Sequence, residues 1–199
     1  MKTIVNDDGL QHGKEPPSAW VQRWSHLVAP GGVVLDVACG YGRHARWFHE
    51  RNHPVAAVDR AQAALDSIAK AIPADGCEAV VADIENGPWP FDGRQFAAVV
   101  VTNYLWRPLF PALLASLAPG GVLIYETFTQ GNETVGKPSR PDFLLRTSEL
   151  LKVCGGLRVV AFEDGFLQHA DGSAPRFVQR IAAVRAIDAA GVPDRYPLA

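Results

Sequence analysis

A buried strand that runs into a glycine turn is the feature of this sequence that most restricts its fold. Residues 33–37 are apolar except for Asp36, and Gly40 and Gly42 follow closely. This pattern predicts a strand, a sharp turn and a helix that begins near Arg43. The turn leaves backbone N–H groups unpaired at the helix N-terminus, where the helix dipole adds partial positive charge. The stretch therefore predicts a nucleotide-binding corner.

Strands and helices alternate after this corner. Further predicted strands cover residues 54–59, 77–83, 96–102, 122–126, 157–166 and 176–186, and predicted helices cover residues 18–28, 43–51, 61–72, 109–117 and 147–153. Continuously apolar strands between helices are typical of a parallel sheet covered on both faces. An Asp171-Gly172 turn before the last strand predicts an antiparallel hairpin at one sheet edge. We therefore predict an α/β fold, a doubly wound Rossmann-like three-layer sandwich.

The chain of 199 residues is long enough to bury one full core. We expect an N-terminal arm and helix at 1–29, a main domain at 30–186 and a C-terminal tail at 187–199. Residues 1–17 are polar and end in two prolines, which predicts a mobile arm. Ser18 is the predicted N-cap of a helix whose Trp20 and Trp24 pack on the sheet.

Composition excludes several classes of partner. The formal charge of -2 disfavours long nucleic acids and anionic membranes. The three cysteines form no CxxC pair, so we expect reduced thiols and no metal site. No signal peptide or membrane-length apolar run occurs. We expect a cytoplasmic protein, and the sequence leaves its oligomeric state open.

Acidic residues end the two strands that follow the glycine corner. In a doubly wound sheet, ligands lie across the carboxyl ends of the strands. Asp59 lies one helix and one strand after Gly42, where a carboxylate can accept both hydroxyls of a ribose. Asp83 ends the next strand and can accept from an adenine amine, with Ile84 covering the ring. The glycine spacing by itself also fits the dinucleotide fingerprint, so NAD stays open.

Two residues at the corner favour an amino acid joined to adenosine. Asp36 can meet an ammonium group or hold the turn by hydrogen bonds. Arg43 can meet a ligand carboxylate. An amino acid joined to adenosine has an ammonium, a carboxylate, a ribose and an adenine, and each of these four groups would find a partner here.

The ordered motifs of this chain resemble those of class I S-adenosylmethionine-dependent methyltransferases. They are Leu35–Arg43 with its Asp-x-x-Cys-Gly-x-Gly-Arg run, the acid Asp59, Ala82–Ile84 and Leu117–Leu123. The similarity covers about residues 30–186, and small bacterial tellurite-resistance-type and metabolite methyltransferases are the most similar. Ala38 replaces the first glycine of the usual Gly-x-Gly-x-Gly motif.

The resemblance implies S-adenosyl-L-methionine as the cofactor, S-adenosyl-L-homocysteine as the product and a sheet order of 3-2-1-4-5-7-6 with an antiparallel seventh strand. It implies that Asn103 lies at the mouth of the site beside the methyl group. It places Asp36 and Gly40 near the methionine portion, Asp59 at the ribose, and Asp83 and Ile84 at the adenine, which Arg60 flanks. The predicted cofactor-binding set also includes Cys39, Gly42, Arg43 and Asn103.

Methyl transfer from a sulfonium is an in-line displacement, so alignment supplies much of the catalysis and a base is optional. His44, Tyr104, Glu126 and His169 are the candidates for a base, and we take Asn103, Tyr104 and His44 as the candidate catalytic set. The stretch that follows Asn103 does not have the paired prolines found in amino-directed nucleic-acid methyltransferases. Together with the net charge, this difference indicates a small-molecule acceptor.

A long connection at 127–146 has the position of an active-site lid. We expect its segment 128–143, together with the arm that carries Trp20 and Trp24, to close over the acceptor. Lys137 and Arg140 on the lid either favour an anionic substrate or are merely solvated.

Two other functions stay open: an NAD(P)-dependent oxidoreductase, and a non-catalytic cofactor-binding interaction module.

Overall fold

The computed structural model describes residues 15–168, 174–187 and 195–198. Within them, seven strands form one sheet: β1 (Val34–Val37), β2 (Val55–Asp59), β3 (Cys77–Val81), β4 (Phe96–Thr102), β5 (Leu117–Phe128), β6 (Arg158–Leu167) and β7 (Arg176–Val184). The spatial order is β3-β2-β1-β4-β5-β7-β6, and β7 runs antiparallel to both of its neighbours. The predicted sheet order, the antiparallel seventh strand and the edge hairpin are confirmed.

Helices cover both faces of the sheet. They are α1 (Ala19–Trp24), α2 (Arg43–His49), α3 (Gln62–Ala71), α4 (Phe110–Ala115) and α5 (Glu149–Val153), with short 3-10 turns at Ser25–Leu27, Arg107–Leu109, Asn132–Thr134 and Pro141–Phe143. Alternate residues of β1 and β2 belong to different apolar clusters, because successive side chains of a strand point to opposite faces. The predicted three-layer sandwich is thereby confirmed.

The tryptophans of α1 belong to the core. Trp20 and Trp24 are each 1% exposed, and Trp20 Nε1 donates to the carbonyl of Ile181 at 3.2 Å. Ser18 caps α1 as predicted, since its Oγ accepts from Trp20 N at 3.1 Å. The expectation that these rings close over an acceptor is wrong, because both are packed between helix and sheet.

The Pro119-Gly120-Gly121 segment lies inside β5, although the sequence predicted a turn before a strand at 122–126. Gly120 N donates to Arg185 O at 2.8 Å, and Arg185 N donates to Gly121 O at 2.9 Å. These bonds to the chain after β7 draw the glycines into the sheet. The helix predicted at 109–117 accordingly ends earlier, at Ala115.

Both ends of the described chain are attached to the domain. Pro16 O accepts from Arg43 at 3.4 Å and Pro17 O accepts from Gln22 at 2.8 Å, so residues 15–17 are not a loose arm. Tyr196 packs against an apolar cluster, so the predicted tail is partly docked. Residues 1–14, His169 and the Asp171-Gly172 turn lie outside the described residues. No helix in the described ranges has the length and apolar character needed to span a membrane.

Candidate active site

The glycine corner has the backbone that its sequence predicts. Ala38, Gly40 and Gly42 all have positive φ, at 51°, 52° and 77°. A Cβ on Gly42 would lie 2.4 Å from Cγ1 of Ile68, so close packing of α2 against α3 requires glycine there. A Cβ on Gly40 would meet nothing within 4 Å. The space in front of Gly40 is therefore open to a ligand.

A cavity of about 460 Å³, here called the corner cavity, opens at this turn. It is lined by Glu15, Ala38, Cys39, Gly40, Tyr41, Arg43, His44, Thr102, Asn103 and Arg176. Its volume falls in the usual range for small-molecule sites. The corner cavity thus joins the glycine turn to the carboxyl end of β4.

Asp36 holds the start of α2. It is 1% exposed, and its Oδ2 accepts from Ala45 N at 3.1 Å. Burial raises the pKa of Asp36 to about 7, more than this hydrogen bond and the charge of Arg43 lower it. Of the two roles that the sequence left open, the structure shows the hydrogen bond that supports the turn.

Asp59 ties β2 to the glycine turn. Its Oδ2 accepts from Gly40 N and its Oδ1 from Ala61 N, both at 2.9 Å. The side chain lies at the carboxyl end of β2, where the sequence predicted it. Each oxygen keeps a lone pair for a further donor.

Asp83 shapes the turn after β3. Its Oδ1 accepts from Glu85 N at 3.0 Å and Asn86 N at 3.2 Å, and its Oδ2 accepts from Asn86 Nδ2 at 2.9 Å. These bonds hold the pKa of the Asp83 carboxyl below its usual value. Ile84 packs against the second apolar cluster, and the exposed Arg60 lies near enough to act on Asp83 electrostatically.

Three groups that line the corner cavity, Cys39, Arg43 and His44, have pKa values changed by burial. The pKa of the Cys39 thiol is raised by burial and by the Asp36 and Asp59 carboxylates, so the thiol is neutral and unreactive. The pKa of Arg43 is lowered by burial. Arg176 lines the cavity beside it, and sequence reasoning missed this residue. The antiparallel direction of β7, which the resemblance implied, was the available signal, because it brings the start of β7 beside the end of β5.

His44 is a structural hydrogen-bond acceptor in this site. It is 2% exposed, and its Nε2 accepts from Ser18 N at 3.1 Å. Burial and the adjacent Arg43 lower the pKa of His44 to about 3. The ring is neutral with its proton on Nδ1, and the lone pair of Nε2 is already used. This geometry contradicts the interpretation of His44 as a base.

The carboxylate of Glu126 also has hydrogen-bond and ion-pair partners. It is 3% exposed, and its Oε1 accepts from Ser18 Oγ at 2.9 Å while its Oε2 pairs with Arg180 at 3.2 Å. Arg180 also pairs with Glu163. Sequence reasoning offered Glu126 as a base candidate but missed both of its partners. The structure instead gives Glu126 the role of holding Ser18 beside the corner cavity.

Asn103 lines two cavities. It has a φ of 54°, and its backbone N–H donates to Glu126 O at 2.9 Å. Besides the corner cavity, it lines a second cavity of about 390 Å³, here called the lid cavity. The lid cavity is bounded by Glu85, Asn103, Tyr104, Leu105, Thr127, Phe128, Lys137, Pro138 and Phe143. The structure therefore brings Asn103, Tyr104 and the lid residue Lys137 together in one cavity.

Tyr104 brings an unsatisfied polar group to the lid cavity. Its hydroxyl is buried and has no hydrogen-bond partner within the described residues. Burial and the nearby Glu85 and Asp83 carboxylates raise the pKa of Tyr104. The hydroxyl therefore stays protonated. Within the same residues, no group of three or more metal-ligating side chains occurs.

Comparisons with known proteins agree with this geometry. Residues 34–121 match the model of the family described as "Methyltransferase domain". A curated relative, malonyl-[acyl-carrier protein] O-methyltransferase of Serratia marcescens, is 34% identical over 109 residues, which are 52% of this chain and 41% of that protein. The chain thus spans less than half the length of this relative.

Solved structures share the fold at low sequence identity. TehB from Haemophilus influenzae has a TM-score of 0.67 at 15% identity, covering 81% of this chain and 59% of that chain. An S-adenosylmethionine-dependent methyltransferase from Mesorhizobium loti has a TM-score of 0.66 at 17% identity, covering 85% and 99%. These structures show the fold of the chain, and the match to the methyltransferase domain covers residues 34–121, less than half of it.

Proposed function

We propose that this protein transfers the methyl group of S-adenosylmethionine to a small-molecule acceptor, with the cofactor in the corner cavity and the acceptor in the lid cavity. The observation that carries the proposal is that both cavities are lined by Asn103, at the end of β4. A methyl group placed at this residue would be accessible from the lid cavity. The formal charge of -2 supports a small acceptor over a nucleic acid, and a cytoplasmic location forms part of the same proposal.

The residues of the corner fit the cofactor. The open space at Gly40 admits a ligand against the backbone, and the cavity has suitable volume. Asp59 would accept from the ribose hydroxyls, and Arg60, Asp83 and Ile84 would flank the adenine. Arg43 would pair with the carboxylate of the methionine portion. Asp36 would hold the turn in place through its hydrogen bond with Ala45 N.

The chain's own contribution to the reaction is alignment. When bound, the cofactor would supply an activated methyl group to the acceptor's lone pair; its sulfur would keep the C–S electron pair, and the acceptor's proton would be lost to solvent after transfer. The φ of 54° at Asn103 and its bond to Glu126 O fix the mouth of the site. Tyr104 would donate to the acceptor and orient it. Apolar lid residues would exclude water from the reacting atoms.

Ligand binding and turnover test this function. S-adenosylhomocysteine should raise the melting temperature while NADH does not, and labelled methyl groups should pass to members of an acceptor panel. Asp59→Asn should weaken S-adenosylhomocysteine at least tenfold, whereas the exposed control Asp75→Asn should not. Stabilisation by NADH alone would overturn the proposal, and cofactor binding without transfer across the panel would favour the interaction-module alternative.

A further inference from the structure

We propose that the lid cavity selects acceptors that have an apolar body and one anionic group, and that Lys137 binds the anion. This inference rests on the proposed function for the place of the cofactor. It goes beyond that function by naming the chemical class of the acceptor.

The walls of the lid cavity favour an apolar body. Leu105 is 6% exposed and packs in the second apolar cluster. Phe128, Pro138 and Phe143 complete an apolar lining around the polar groups of Asn103 and Tyr104. A purely ionic ligand such as a free oxyanion would leave these surfaces without contacts. A ring or a short alkyl chain would bury them.

Lys137 gives the cavity a cation that is free to bind. The lid segment 128–143 carries two cationic side chains, Lys137 and Arg140, and they differ in their partners. Arg140 is paired with Asp142 at 2.8 Å and does not line the cavity. Lys137 lines the cavity and has no ion pair or hydrogen bond from its ammonium among the residues the structure covers. The sequence alone could not separate the two residues.

The second charge of the lid cavity lies beside Tyr104. Glu85 lines the cavity, and its carboxylate acts on the Tyr104 hydroxyl. No ion pair joins Glu85 to Lys137 in the described ranges. An acceptor with a neutral hydroxyl or amine toward Tyr104 and its anion toward Lys137 would satisfy both groups. This orientation places the nucleophile beside Asn103, which lines both cavities.

The lid is held in place before any ligand binds. Asn132 is 1% exposed, and its side chain donates to Pro138 O at 3.0 Å and accepts from Phe177 N at 3.1 Å. On the far side of Lys137, Arg107 donates to Asp142 O at 3.0 Å and Leu144 O at 2.8 Å. The backbone around Lys137 is therefore anchored on both sides, which lowers the entropy cost of binding.

Calorimetry on the chain saturated with S-adenosylhomocysteine tests the inference. The probes are benzoate and phenylacetate, their neutral amides, phenyl phosphate and inorganic phosphate. We expect the aryl carboxylates or phenyl phosphate to bind at least tenfold more tightly than the amides and inorganic phosphate. The comparison of carboxylate with phosphate shows which anion the site prefers.

Variants assign the effect to residues. Lys137→Met should weaken the best anion about tenfold, the loss expected for one charge-assisted contact. Lys70→Met, which removes an exposed lysine from α3, should leave affinity unchanged. Tyr104→Phe should leave the affinity for these probes unchanged, because their only polar group is the anion that faces Lys137.

Equal binding of amides and acids, an unchanged affinity in Lys137→Met, or no binding by any anionic probe would overturn the inference. Binding of inorganic phosphate as tight as phenyl phosphate would overturn the apolar requirement. The affinity for S-adenosylhomocysteine is measured first on its own. Its absence would count against the proposed function, whereas the anion preference can still be measured on the free chain.

Discussion

The backbone N–H of Ser18 donates to Nε2 of His44 at 3.1 Å, between residues 26 positions apart. The hydroxyl of Ser18 donates to Glu126 at 2.9 Å. Ser18 therefore joins the segment before α1 to α2 on one side and to the end of β5 on the other. Because Glu15 lines the corner cavity, this bridge fixes one wall of that cavity.

The neutral state of His44 makes stability depend on pH. The pKa of His44 is lowered to about 3 in the folded chain, against an ordinary value of 6.5. Between these values the unfolded chain binds a proton that the folded chain does not, so this contribution is present above pH 6.5 and lost as pH falls toward 3. We expect the stability of the wild type relative to His44→Gln to fall by about 1 kcal/mol per pH unit below pH 6. Urea unfolding of both proteins measures this, and a difference that is independent of pH would refute it.

Asp36 should have the opposite pH dependence. Its pKa is raised from 3.8 to about 7, so the folded chain holds a proton that the unfolded chain releases between these values. Its burial therefore lowers stability as pH rises from 4 to 7. Asp36→Asn keeps an acceptor for Ala45 N and removes the charge. We expect it to gain stability relative to wild type by several kcal/mol from pH 4 to pH 8, with Asp75→Asn as the flat control. A gain of similar size in the control would show that net charge is the cause.

The sequence predicted most of the architecture because strand and turn signals are local. Apolar runs located the strands, and glycines located the corner at Gly40 and Gly42. Asp59 and Asp83 could be placed at one edge because the carboxyl ends of parallel strands meet there. The Pro119-Gly120-Gly121 segment escaped prediction because its pairing with the chain after β7 outweighs its turn preference.

The side-chain contacts of the site were harder to predict. Nothing local indicates that Ser18 meets Glu126, which is 108 positions away, or that His44 is held neutral. Arg140 and Lys137 look alike in sequence, yet Arg140 is paired with Asp142 and Lys137 has no ion pair within the part of the chain that the structure describes. Such differences arise from tertiary packing, so the residue types were predictable and their roles were not.

The two corner glycines should respond differently to alanine. A Cβ on Gly42 would lie 2.4 Å from Ile68, so Gly42→Ala should cost about 3 kcal/mol from the clash and the positive φ. A Cβ on Gly40 would meet open space, so Gly40→Ala should cost only about 1 kcal/mol. Gly40→Ala should nevertheless weaken S-adenosylhomocysteine more than tenfold, because its methyl group enters the corner cavity. Chemical unfolding and calorimetry separate the two effects. A smaller cost of Gly42→Ala in an Ile68→Ala background, which lacks the clashing Cγ1, would confirm the clash, and equal losses of stability in both glycine variants would contradict it.

Arg107 should control the lid without affecting the cofactor. It binds Glu149 through Nε at 2.7 Å and a terminal nitrogen at 2.9 Å, and it also donates to two carbonyls at the end of the lid. Lysine cannot reproduce this fork, so Arg107→Lys should lower stability by about 1 to 2 kcal/mol. We expect it to weaken anionic probes of the lid cavity severalfold while the affinity for S-adenosylhomocysteine stays within a factor of two.

Arg94→Lys is the matched control, because Arg94 donates two hydrogen bonds to the exposed Glu78, at 2.9 and 2.8 Å. Since exposed pairs contribute little, this control should change neither stability nor binding. Loss of S-adenosylhomocysteine binding in Arg107→Lys would show that the two cavities are not independent.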